Sequence, residues 1–528
     1  MRNIASADLV LLDCTVLTMN PNQPTAEAVA IKGDKITKVG STSNVSKTIG
    51  EKTKILDLKG KTVIPGIIDT HIHVADFGRL LSWLNLETAT SIKELQNLLK
   101  RRVKKTPCGK WIIGRGWDEN RFSEKRLPSR FDIDDVAADN PVVLYHQSGQ
   151  VCVINSKASE LAGVTKQLRV GVERNQAEEF TGILRDEATN LVWNVIPAPT
   201  EKEVTQAAGL ACQKIVESGI TSIHWIILSP IEVSVIKKLK QQNRLPLRVN
   251  VIAPASLFDE ISTFKAHSSS EELKFSCFEI FADGYLAART AALWLPYADC
   301  PSEKGKLVCS QKEMAQTAAK ITAAGFQLVV HAVGDKAVDS ALTVIEEAEN
   351  GRLSGGLRCR VEQGALLNEC LVERIKKLGI VVSVQPCVVS SEFSVWSATQ
   401  RLGLARASWL FPLKILVEAG VPVVAGSDCP MEPLNPLLGI QEAVTRKQFP
   451  QQQITVHEAL RMYTINAAYA CFEEKIKGSI EEGKLADVTV LSGDPTRVQA
   501  EKLGEISVEA TILGGQVVYS ESQNVFEE

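Results

Sequence analysis

Eight short apolar runs, alternating with longer amphipathic segments, restrict this chain to a small set of folds. They are IIDTHIH (67–73), ITSIHWI (220–226), LRVNVIA (247–253), FEIFADG (278–284), FQLVVHAVGD (326–335), CRVEQG (359–364), VVSVQP (381–386) and VPVVAGSD (421–428). Such alternation marks βα units and a parallel sheet, and eight strands are the number that closes a (β/α)8, or TIM, barrel in the α/β class. The segments AAKITAAG (318–325), LVERIKKLG (371–379) and LKILVEAG (413–420) each end in glycine just before a run, as a helix C-cap does. The first two runs are separated by residues 74–219, far more than one crossover helix needs. The excess predicts an insertion at about 79–205, lying over the barrel mouth.

The ends of the chain have a different texture. LVLLDCTVLTM (8–18), EAVAIKGDKITKV (27–39) and KILDLKGKTVI (54–64) are β-rich, and ADVTVLSGDP (486–495) and EATILGGQVVYS (509–520) repeat the pattern of short apolar runs divided by Gly and Asp. The two termini are therefore expected to pair into one small β-sandwich, with residues 1–62 and 475–528 flanking a barrel over 63–474. No solenoid repeat or low-complexity stretch is present.

Composition excludes several classes. With 45% hydrophobic and 23% charged residues, the 528-residue chain matches an ordinary globular enzyme. A formal net charge of -3, without basic runs interleaved with aromatics, argues against a nucleic-acid partner. No apolar run is long enough to cross a bilayer, and MRNIASADLVLLDCTVLTM lacks a continuous signal segment, so a cytoplasmic protein without membrane partners is expected. The 12 cysteines include no CxxC pair and read as small buried hydrophobes.

His71 and His73 stand at i and i+2 at the end of the first apolar strand, so both imidazoles project from one face of the sheet. That spacing suits a metal, and C-terminal strand ends carry the active site in such barrels. Alone, HxH is equally compatible with two solvated loop histidines. His331 and Asp428 end the fifth and eighth runs. A lone His331 is otherwise a hydrogen-bonded core residue, and Asp428 otherwise a turn cap. In the functional reading Asp428 both binds the metal and takes a proton from its water. Glu279 lies inside the fourth run between Phe278 and Ile280, where an unpaired carboxylate is costly and a cation or a metal is called for. His224 and His146 read as structural, and His267 and His457 as surface or helix residues.

With these residues in place, the sequence resembles the amidohydrolase superfamily, and within it the amidohydrolase-3 branch that includes N-substituted formamide deformylases. The resemblance runs almost end to end and rests on VIPGIIDTHIH (63–73), GRGWDENRF (114–122), FADGYLAARTAAL (281–293), HAVGDKAV (331–338), AGSDCPMEP (425–433) and GSIEEGKLADVTVL (478–491). It implies a hydrolase of non-peptide carbon–nitrogen bonds, with a metal-bound hydroxide as nucleophile and a small-molecule substrate. It implies a divalent metal, usually Zn2+, held by His71 and His73, with Asp428 as ligand and catalytic base and His331 at the strand-five position. Homodimers are common in the family. Trp117 and Asp118 in the insertion, together with Gln150, Asp283 and Arg289, are the substrate-contact candidates. For Trp117 the alternative is a packed insertion core, and for Arg289 a surface ion pair.

Three positions depart from the family pattern. Glu279 replaces the strand-four lysine that is carboxylated in some members, Gln363 follows Glu362 where a histidine is usual, and Gln150 stands in HQSGQVCVINS at a common histidine position. An amide oxygen is a poorer zinc ligand than imidazole. The expectation is one tightly held ion with a second weak or absent, on either His71, His73, His331 and Asp428 or His71, His73, Glu279 and Asp428. Deamination of a heterocyclic C=N bond and a catalytically impaired barrel that only binds are the alternatives.

Overall fold

A computed structural model describes residues 6–164, 170–263, 271–349 and 356–521. All eight runs form strands, labelled here β1 (Ile67–Ile72), β2 (Ile220–Ile226), β3 (Arg248–Pro254), β4 (Leu273–Phe281), β5 (Gln327–Ala332), β6 (Arg360–Gln363), β7 (Val381–Val384) and β8 (Val423–Ala425). They make one parallel sheet in sequential order from β1 to β8. β4 begins at Leu273, five residues before the apolar run that announces it, because Lys274 and Ser276 break the hydrophobic pattern while the backbone still pairs with β3, through one register shift between Val251 and Ile252.

β8 is short, and the sheet closes onto β1 just beyond it. The Asp428 amide donates to the His71 carbonyl at 2.8 Å and the His73 amide to the Cys429 carbonyl at 3.0 Å. Asp69 adds a clamp, its Oδ1 accepting from the amides of His71 (3.1 Å) and Ser427 (3.0 Å). Gly426 is required here, since a Cβ would lie 2.5 Å from the His71 nitrogen. Ile226, Ile252, Cys277 and Val329, one from each of four consecutive strands, pack as a buried cluster. The anticipated C-caps are present: Gly325, Gly379 and Gly420 take positive φ after helices Gln311–Ala323, Glu369–Leu378 and Leu413–Glu418.

The termini do pair. Thr62–Pro65 runs antiparallel to Val488–Leu491, with Val63 opposite Val490, in a six-stranded sheet. A second sheet of four strands holds Leu9–Leu12 between Ala28–Lys32 and Lys54–Asp57. Leu11, Val29 and Ile31 of one sheet and Val63, Val488 and Ile512 of the other share one core. Burial of apolar side chains from both ends of the chain holds the sandwich together.

Residues Phe77–Leu210 form a compact unit of their own. Its six-stranded sheet includes Ile112–Trp117, Val142–His146, Val151–Ile154 and Phe180–Arg185. Two apolar clusters use its strands, one around Leu86, Leu95, Trp117 and Phe122 and one around Val143, Ile154, Phe180 and Leu184. Among the described residues no helix is long and apolar enough to cross a membrane.

Candidate metal centre

The C-terminal ends of β1 and β8 bring three candidates together. Nε2 of His71 and Nε2 of His73 lie 3.5 and 3.4 Å from the same Oδ1 of Asp428. Their ligand atoms all fall within 4.8 Å of one another, with His71 and Asp428 buried and His73 half-buried. His331 and Glu279 do not join this group, so neither four-residue ligand set read from the sequence is assembled as such. Asp428 sits at φ 58°, an uncommon conformation for a non-glycine residue, held by the β1–β8 hydrogen bonds.

Beneath the trio lies a buried polar network. Glu362 is fully buried, with Oε1 3.1 Å from Nδ1 of His71, and that same oxygen accepts from Gln385 Nε2 at 3.0 Å. Its Oε2 accepts from Arg360 Nη2 at 2.6 Å. The Arg360 guanidinium, also fully buried, further contacts the Thr70 carbonyl, Ser383 Oγ and His224 Nδ1 at 3.2, 3.1 and 2.8 Å. The contact of Glu362 with Nδ1 is an ion-pair approach and not an aligned hydrogen bond, and it leaves Nε2 of His71 as the ligand atom, as in carboxylate–histidine–metal arrangements.

Charge in the site follows from this packing. Burial works against ionisation of Asp428, but hydrogen bonds and charge from His71 and His73 hold its carboxyl well below the usual range. Burial likewise opposes ionisation of Glu362 and is outweighed by Arg360 and then His71. His71 would lose its proton through burial, yet Glu362 and Asp428 raise its basicity well above the ordinary histidine value. Two imidazole nitrogens and a carboxylate oxygen converging without another cation are a donor set that suits zinc, and a divalent ion fits here. Glu279, 1% exposed, is pushed up to about 7 by burial and leaves Oε1 without a hydrogen bond.

The remaining candidates are placed as follows. Gln363 is buried at φ 69°, and its Nε2 reaches Asp428 Oδ2 at 3.5 Å. Its amide accompanies the trio without adding a strong ligand. Asp283, expected to touch substrate, is instead buried with its carboxylate spent on backbone: Oδ1 accepts from the Val333 amide at 2.9 Å, and Oδ2 from Gly334 at 2.9 Å and Ala292 at 2.7 Å. Arg289 forms the surface ion pair, its Nη2 2.7 Å from Asp299 Oδ2. Trp117 is fully buried with Nε1 donating to the Leu144 carbonyl at 2.8 Å, which is the packed-core alternative and leaves no face for a substrate. Gln150 is exposed, its carbonyl accepting from the Asp186 amide at 2.8 Å.

Asp118 accepts from Asn120 and Gln147 and lies with Glu119 near His146 Nε2, at 3.9 and 3.2 Å respectively. That second cluster brings its donor atoms within 4.8 Å of one another in the separate Phe77–Leu210 unit. His146 Nδ1 lies 2.8 Å from Ser148 Oγ and accepts from the Ser148 amide at 3.1 Å. His224 is a core residue, held neutral by burial and by Arg360. His457 is exposed on helix Val456–Met462, and His267 lies outside the described residues. The sequence reading missed Arg360, Gln385 and Asp69 and gave Glu362 no role. Their only local signal was Arg360 and Glu362 at i and i+2 in an apolar strand, a buried charge pair on one face.

A barrel with a histidine pair on its first strand and an aspartate after its last belongs to the barrel hydrolases. Comparison with known proteins gives the family. The profile of the amidohydrolase family matches residues 54–519, and the chain belongs to that family. It is 31% identical to YtcJ of Bacillus subtilis (strain 168), an amidohydrolase by name, over 96% of this chain and 98% of that one. It is 26% identical to an N-substituted formamide deformylase of Arthrobacter pascens, over 97% and 98%. Among solved structures, an uncharacterized metal-dependent hydrolase from Pyrococcus furiosus superposes with a TM-score of 0.77 at 29% identity, covering 93% of this chain and all of that one.

Proposed function

We propose that this hydrolase cleaves the carbon–nitrogen bond of a small non-peptide amide, with one divalent ion, zinc, held by His71, His73 and Asp428. The observation that carries the reading is the convergence of His71 Nε2, His73 Nε2 and Asp428 Oδ1 at the barrel end. The likeness to a formamide deformylase supports the bond type. A zinc ion in that position would polarise the scissile carbonyl and acidify a water.

The chain's own residues do the rest. His71 and His73 fix the ion, and Glu362, anchored by Arg360 and Gln385, keeps His71 from rotating. Asp428 is the only carboxylate in the trio, and both of its oxygens lie at the site. It accepts the proton of the attacking water and returns it to the departing nitrogen, which leaves as a neutral amine.

The test is turnover of a panel of N-substituted amides by the zinc-loaded chain, with product analysis. An amine plus a carboxylate is expected, and Asp428→Asn should lower kcat/KM by roughly 100-fold or more. Ammonia released from a heterocycle would instead favour deamination, and full activity in Asp428→Asn would remove the proposed base.

A further inference from the structure

Near the C-terminal ends of β4, β5 and β6 stand Glu279, His331 and Gln363, and the first two carry a buried atom that the protein leaves unpaired. Glu279 Oε1 and His331 Nε2 are buried atoms without partners, in side chains 1% and 2% exposed. Burial of such atoms costs about 1–3 kcal/mol each, and they normally mark a ligand. Gln363 makes one long bond to Asp428, and its Oε1 is not used by it. The left-handed turn at Gln363 lets two consecutive residues, Glu362 and Gln363, both serve the site.

The chemistry of the three is one-sided. The ring of His331 is held between Phe281 and Tyr285, at centroid distances of 5.0 and 5.5 Å. The Gly284 backbone takes a hydrogen bond from that ring, and since Nε2 has no partner the proton sits on Nδ1. Nε2 therefore presents a lone pair. Burial disfavours a charge on the ring. Glu279 offers carboxyl oxygens and Gln363 a carbonyl oxygen. The nearby cation, Arg360, directs Nη1 and Nη2 to Glu362, Thr70, Ser383 and His224, and its buried Nε makes no hydrogen bond. An anionic group would meet the carboxyl groups of Glu279, Glu362 and Asp428, which disfavours it relative to a neutral one.

A second metal ion is the rival occupant. Among the described residues Glu279 and His331 form no group of three with another His, Cys, Asp or Glu, and the amide oxygen of Gln363 is a poor zinc ligand. We infer that Glu279, His331 and Gln363 form a substrate subsite for a neutral group rich in N–H donors, such as a ureido or carboxamide end, and do not seat a second ion. This deepens the hydrolase reading above and rests on it for the position of the scissile bond.

The test needs no turnover. N-methylurea and tetramethylurea, the latter without N–H groups, are titrated by saturation-transfer NMR into the zinc-loaded full chain, and metal content is measured in parallel. N-methylurea should bind at least about tenfold more tightly than tetramethylurea, because a site built to accept hydrogen bonds rejects an analogue lacking the donors. Gln363→Met and His331→Phe, which preserve volume, should each weaken N-methylurea by about tenfold while keeping one zinc per chain. Equal binding of the two ureas, unchanged binding in both variants, or loss of a second zinc on substitution would overturn the inference. If the wild-type chain turned over no amide, the hydrolase reading would fail, while preferential binding of N-methylurea would still support the subsite.

Discussion

Asp283 offers the sharpest test of how the strand ends are held. Three buried backbone amides, those of Ala292, Val333 and Gly334, share its carboxylate at 2.7–2.9 Å. Asp283→Ala leaves all three without an acceptor. A buried donor left unpaired costs about 1–3 kcal/mol, so the local opening free energy should fall by at least about 3 kcal/mol. Asp283→Asn keeps one acceptor oxygen and should lose roughly one or two of the three bonds, about 1–3 kcal/mol. Hydrogen exchange followed by mass spectrometry on peptides covering 290–294 and 331–336 reads the effect directly. Since each 1.4 kcal/mol is tenfold, exchange in these peptides should accelerate by roughly 100-fold or more in Asp283→Ala, and by less in Asp283→Asn. Because Val333 lies two residues after His331, turnover should decline with it. Wild-type protection together with a raised KM would refute the argument and restore Asp283 as a substrate contact.

Other outcomes follow from the buried network. Arg360→Met strands the Glu362 carboxylate and should cost about 3–5 kcal/mol in thermal or urea denaturation, whereas Arg360→Met combined with Glu362→Leu should be less destabilised than the single change. Glu362→Gln should weaken zinc by about 10–100-fold in a chelator competition, since it disturbs the ring it orients; unchanged affinity would remove that role. Glu392, buried on helix Pro386–Ser394, is pushed up to about 7 by burial, with Arg401 pulling it down and Glu432 up. Its folded-state pKa lies above its unfolded value, so its protonated form favours folding below about pH 4.5 and that contribution is lost as pH rises through 7. Stability measured at pH 5 should exceed that at pH 8, by up to about 3 kcal/mol from this group, and Glu392→Gln should flatten the difference.

The frame of the molecule was legible because it is written in periodicity. Strand alternation, glycine after helices, and the paired β texture of the two ends are local signals, and each of the eight runs became a strand. The convergence of His71, His73 and Asp428 was legible for a related reason: each stands at the end of an apolar run, and the first and eighth runs become neighbours when a barrel closes. What could not be read is pairing across long separations. Arg360 meets Thr70 and His224, and Glu362 meets His71, only once the barrel closes. Asp283, Arg289 and Trp117 share one lesson. Each sits in a stretch similar to the family, yet each is used for backbone capping, a surface ion pair or core packing, roles that need the same residue types as substrate contact. His331 and Glu279 do not fall within the His71, His73 and Asp428 group, because spacing along the sequence does not set the distance between side chains on different strands.

The central claim is that His71, His73 and Asp428 hold one ion and that the neighbouring subsite holds none. Elemental analysis of the full chain after zinc supplementation and removal of loosely bound metal addresses it most directly. One equivalent of zinc per chain is predicted, falling to near zero in His71→Ala combined with His73→Ala. Two equivalents, or one that survives loss of both histidines, would contradict it.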